Sequence, residues 1–214
     1  MYVYKTKMYI KQNEKIAMTD KDRIKHLIEN VEQMRENSEE MRMWKNIPLA
    51  EESVQLLKDI DNPEETPMGK ALALEAIIAQ LPEYAVPRLV LSILHYKLQL
   101  VKASEEQDPE RYPTEEEVSE DIQRLSDYID TDHLSADAFR EKYCLHLKAD
   151  PIERTLEWEE NYYEAEKETD RRLKDTPRGM GFCHAHWPTL RAVLAERGIE
   201  WHSPHEMNPG VMFD

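Results

Sequence analysis

The chain has 214 residues, with 44 acidic and 28 basic side chains, a net charge of −16, 40% apolar and 34% charged positions. Unspecific binding to nucleic acid or to anionic membranes needs surplus Lys and Arg, so this balance argues against both. Two cysteines are too few for a disulfide framework and five glycines too few for an all-β fold. The composition predicts a reduced, all-α protein long enough to bury its own core.

Residues 1–17 alternate loosely between apolar and polar side chains, as an edge strand or a disordered arm does. Met1–Lys7 lacks the apolar centre of a secretory leader, and no apolar run nears the ~20 residues of a bilayer span. A cytoplasmic location away from membranes is therefore expected.

From Thr19 the pattern turns helical. Thr19 and Asp22 can form a capping box ahead of Ile24, Leu27, Ile28, Val31 and Met34. A short helix over 38–44 should end before Pro48, and one bearing Val54, Leu57 and Ile60 should stop at Asp61-Asn62-Pro63. Thr66-Pro67 opens a helix over 68–81 that is apolar on nearly all sides. Pro87 opens the next. Together these two predict a core of Leu72, Leu74, Ile77, Ile78, Leu81, Leu89, Val90, Ile93 and Leu94.

After a polar loop over 104–112, Thr114 and Glu117 make a second capping box, followed by Val118, Ile122, Leu125 and Ile129. Ser135 begins a helix with Phe139, Tyr143 and Leu147. Asp150-Pro151 begins another, reaching toward Lys174, whose thin apolar stripe is Ile152, Leu156, Tyr163 and Leu173. Pro188 should start the last helix, and Gly198 should close it. The sum is an irregular multi-helix bundle of about seven or eight helices. It divides into the N-terminal arm 1–17, an acidic helical domain 18–176, and a segment 177–214 packed on that domain.

That last segment holds one cysteine and four histidines between residues 183 and 205. If the chain folds back after Gly198, Cys183, His186, His202 and His205 could supply one sulfur and three nitrogens to a tetrahedral zinc ion. The short Cys-x-x-His and His-x-x-His spacings match no established zinc finger. Trp187, Trp201 and Phe213 are expected to pack the returning tail onto the protein. Cys183 with His186 as base is a weaker, nucleophilic reading.

The second feature is acidic. Residues 102–132 carry twelve carboxylates and three cations, with Glu115, Glu116, Glu117, Glu120 and Asp121 at the start of one helix. Such a row can imitate a phosphate backbone and occupy a basic protein partner, or simply solvate a helix face. No phosphate loop, nucleophile elbow or Glu-x-x-His pair occurs. The expected function is a non-catalytic helical protein-interaction module. A zinc-binding protein or metalloenzyme and an acidic nucleic-acid mimic are the alternatives.

Overall fold

The computed structural model describes residues 18–62, 65–106 and 108–213. Among these residues the chain forms nine α-helices, two 3-10 turns and no strand, an irregular multi-helix bundle as expected. The arm over 1–17 lies outside the described residues.

Helix α1 (Asp20–Glu39) begins at the Thr19 capping box, where Asp22 accepts from the Thr19 N–H and Thr19 Oγ1 accepts from the Asp22 N–H. It ends at Met41, whose φ of 56° is left-handed, and the Arg42 N–H closes the turn on the Asn37 carbonyl at 2.7 Å. The short helix expected over 38–44 is therefore corrected. Ser38 and Glu39 stay in α1, and only Met43–Lys45 forms a 3-10 turn. Pro48 does not stop a helix either. It sits in the first turn of α2 (Asn46–Asp59), where a missing N–H breaks no intrahelical bond.

Asn46 fixes this corner. It is fully buried, accepts from Asn37 Nδ2 at 2.9 Å, and donates to the Met34 and Gln80 carbonyls at 3.0 and 2.7 Å. One side chain thus satisfies backbone groups from two other helical segments.

Helices α3 (Pro67–Ile78), α4 (Pro87–Ala103) and α5 (Glu115–Ile129) pack in chain order beside α1 and α2. Leu74, Ile77, Leu81, Val90, Ile93 and Leu94 are buried in the main core, as the sequence predicts. Three of the nine expected core residues differ: Leu72 is 39% exposed, and Ile78 and Leu89 are half-buried. Helix α3 is apolar all round, but it buries only the stripe Met68, Ala71, Leu74 and Ile77. The neighbours α4 and α2 cover that side, and Leu72 faces away from it.

Helix α6 (Ala136–Lys142) follows, capped by Ser135. Then the helix expected from 150 to 174 is interrupted. A 3-10 turn, Pro151–Arg154, ends at extended Thr155, whose hydroxyl caps α7 (Leu156–Arg172) by accepting from the Trp158 N–H. The buried face of α7 also differs from the apolar stripe expected for it. Leu156 is exposed, while Trp158, Ala165, Glu166 and Thr169 are buried.

Helix α7 reaches both ways. The α4 N-terminus has no side-chain cap of its own, and Glu159 supplies one, accepting from the Arg88 and Leu89 N–H groups at 3.0 and 2.9 Å. On its other side, Trp158 and Ala165 join Leu190, Val193, Leu194, Ile199 and Trp201 in a second apolar cluster. Tyr162 packs against both clusters.

Helix α8 (Cys183–Ala195) starts five residues before Pro188, which corrects the boundary expected at that proline. Pro188 is exposed and interrupts one backbone bond in the second turn. Nearby, the Thr189 hydroxyl donates to the Ala185 carbonyl at 2.8 Å. Cys183, His184 and His186 are thus helical rather than in a loop. Gly198 does close the helix, at φ +83° with the Ile199 N–H on the Leu194 carbonyl. A single-turn helix, α9 (Pro204–Met207), ends the chain's regular structure.

Two stability predictions follow from this packing. Leu74→Ala should cost ~2–5 kcal/mol, whereas Leu72→Ala should stay within ~0.5 kcal/mol, as read by denaturant unfolding. Glu159→Ala should cost about 1–2 kcal/mol by uncapping α4, although the carboxylate lies on a different helix.

Candidate functional site

Three distant segments enclose a groove of about 430 Å³. The α1–α2 corner brings Met41, Met43 and Trp44, α7 brings Tyr162 and Glu166, and the start of α8 brings Phe182, Cys183, His186 and Trp187. Each wall has a local cause. The left-handed turn at Met41 leaves that side chain 61% exposed, and the 3-10 turn behind it buries Trp44 against Tyr163 with ring centres 5.7 Å apart. Residues i and i+3 share a helix face, so Cys183 and His186 both face the groove.

The polar floor is paired. His186 Nε2 lies 2.9 Å from Glu166 Oε2, and both side chains are mostly shielded from water. At the rim, Asp170 accepts from Arg42 Nε at 3.2 Å and also bonds Arg178, whose guanidinium stacks on Phe182 at 4.6 Å. Burial of Tyr162, with the Glu166 carboxylate beside it, drives its hydroxyl far above the ordinary tyrosine range, so it stays protonated. Methionines and aromatic rings therefore form the walls, with a hydrogen-bonded His–Glu pair at the floor and Arg–Asp ion pairs at the rim.

The four zinc ligands expected from the sequence are not brought together. Cys183 and His186 face this groove. His202 turns away onto Asp150, with Nδ1 2.9 Å from Oδ2. His205 lines a separate groove of about 470 Å³ with His184, Trp187 and Arg191, and its ring lies edge-on to Phe213. Among the described residues no group of three His, Cys, Asp or Glu side chains can hold a metal ion.

The tail does return. Trp201 is buried and Phe213 sits edge-on to Trp187 at 5.2 Å, both rings half-buried. The last apolar residues do not all dock, since Met212 is 94% exposed.

The acidic row on α5 is partly spent internally. Glu117 accepts from the Thr114 N–H at 2.8 Å, and that bond holds its carboxyl below the usual range. Asp121 pairs with Arg124 at 3.1 Å, and Glu115 lies 3.8 Å from Lys102. Glu116 and Glu120 are exposed.

Sequence reasoning missed Asp150, Glu153 and Glu166 as partners of the C-terminal His and Trp residues. The one local signal was Glu166 four residues after Tyr162, on the face that α7 buries. Comparison with known protein families, curated proteins and solved structures finds no match. Among the described residues no helix is long and apolar enough to cross a membrane.

The floor pair predicts an asymmetry between its partners. His186→Ala strands a buried carboxylate and should cost about 1–3 kcal/mol or more, whereas the double variant His186→Leu/Glu166→Leu should recover most of that loss. A double-mutant cycle by thermal unfolding measures the difference.

Proposed function

We propose that the chain is a helical protein-interaction module that acts in the cytoplasm through the groove between the α1–α2 corner and the start of α8. The supporting observation is an apolar surface left open to water in a chain whose mean hydropathy is −0.77. Met41 on the groove wall is 61% exposed, and Met180, the neighbour in sequence of the lining Gly179, is 94% exposed. Methionine is flexible and polarisable, so it suits a surface that moulds to a partner. The partner is a protein segment with bulky apolar side chains that insert against Trp44, Phe182 and Trp187. The His186–Glu166 pair at the floor and the Arg–Asp ion pairs at the rim orient it.

Burying one such methionine fully is worth ~1.5–3 kcal/mol, or about tenfold or more in affinity. A photo-crosslinker at position 41 identifies the partner. Met41→Asp and Met180→Asp should each then weaken binding of that partner about tenfold or more, while Glu116→Lys leaves it unchanged. If Glu115→Lys, Glu116→Lys and Glu117→Lys abolish binding and the methionine changes do not, the acidic face of α5 is the binding surface and the groove reading fails.

A further inference from the structure

After Gly198 the chain crosses back over the connection between α6 and α7, and polar contacts from the Lys148 backbone and from the Asp150 and Glu153 side chains hold it there. The Lys148 N–H donates to Asn208 Oδ1, and Asn208 Nδ2 donates back to the Lys148 carbonyl, both at 2.9 Å. Asp150 Oδ2 accepts from the His202 N–H at 2.7 Å and faces the His202 ring. Glu153 Oε1 accepts from the Trp201 indole N–H at 2.6 Å. Trp201 and Asp150 are buried, so two carboxylates three residues apart meet the returning segment with little water between them.

We propose that Asp150 and Glu153 form a proton-operated latch, which fastens residues 199–208 to the connection before α7 and loosens when Glu153 loses its proton. The groups around Glu153 set the direction. Asp150 and Arg154 face it from its own turn, Tyr128 from α5, Tyr162 from α7 and Trp201 from the returning segment. His202 and Glu200 lie on the Asp150 side. Arg154 is fully buried, but its guanidinium donates to the Thr131 and Leu134 carbonyls at 3.1 and 2.7 Å and stacks on Phe139. Its charge thus answers Glu153 only in part.

Burial dominates, and Asp150 adds to it, against the Trp201 bond and Arg154. The Glu153 carboxyl is pushed up to about 7 from 4.5. Released, Glu153 would be hydrated and titrate near its ordinary value. The fastened state thus keeps its full advantage below about 4.5 and loses it as the pH rises through about 7. The latch equilibrium should shift toward release by up to ~10-fold per pH unit inside that window. The segment packs on the smaller apolar cluster, so it can open locally while the main core stays closed.

Hydrogen exchange of the full chain from pH 5 to 8.5, corrected for intrinsic rates, tests this. Protection of 199–208 should fall up to ~10-fold per unit toward pH 7, while α4 stays protected. Glu153→Gln should flatten that dependence. Trp201→Phe, which removes the bond that lowers the carboxyl, should move the midpoint upward. The latch is refuted if wild type shows no pH dependence in 199–208, if 199–208 and α4 lose protection together, or if the wild-type slope persists in Glu153→Gln. If Glu153→Gln does not fold, the wild-type slope and the Trp201→Phe midpoint decide alone.

Discussion

A buried carboxylate must find donors, and helix α7 is arranged around that demand. Losing water costs such a group several kcal/mol unless hydrogen bonds replace it. Glu159 finds two backbone N–H groups at the start of α4, and Glu166 finds the imidazole of His186 on α8. One helix is thereby tied to the main core by one carboxylate and to the C-terminal helix by another. Between them, Tyr162 touches both apolar clusters. The bonds set the register, and the apolar contacts supply most of the burial. Each alone leaves α8 less defined, because Trp158 and Ala165 offer a smaller apolar face than the α3–α4 pair.

The groove is a consequence of that arrangement. With α8 held by Glu166, its first turn stands opposite the α1–α2 corner instead of closing on it. Asn46 ties the corner together by bonding the Met34 carbonyl of α1 and the Gln80 carbonyl just past α3, and the left-handed Met41 turn directs the chain into the 3-10 segment. Between these walls Met41 stays exposed, while Met43, Tyr162, Phe182 and Trp187 are half-buried. An open apolar cleft in an otherwise strongly charged surface is what the interaction reading rests on.

Several local signals were legible where a short-range bond decides the structure. Thr19 with Asp22, Thr114 with Glu117, Ser135, and Gly198 all act where the sequence predicts. The core stripe of α3 and α4 was largely legible too, because a strongly apolar helix pair has few ways to pack. Pro188 misled because the rule that proline begins a helix ignores how small the loss is near an exposed N-terminal turn. Met41 was invisible, since nothing in a methionine announces a left-handed conformation. The histidines illustrate a deeper limit. Residue type and spacing raise the expectation of a metal at His186 and His202, but carry no sign that Glu166 and Asp150, 20 and 52 positions away, stand beside their rings. In a stretch as acidic as 157–170, no single carboxylate is marked out by the sequence as the one that turns inward.

Two internal carboxylates stand beside C-terminal imidazoles, Glu166 beside His186 and Asp150 beside His202. Nitrogen NMR of histidine-labelled protein, recorded before and after one equivalent of zinc, tests it most directly. The His186 and His202 ring signals should keep the shifts of carboxylate-bonded imidazoles and not move. Simultaneous zinc-induced shifts of His186, His202 and His205 would contradict it.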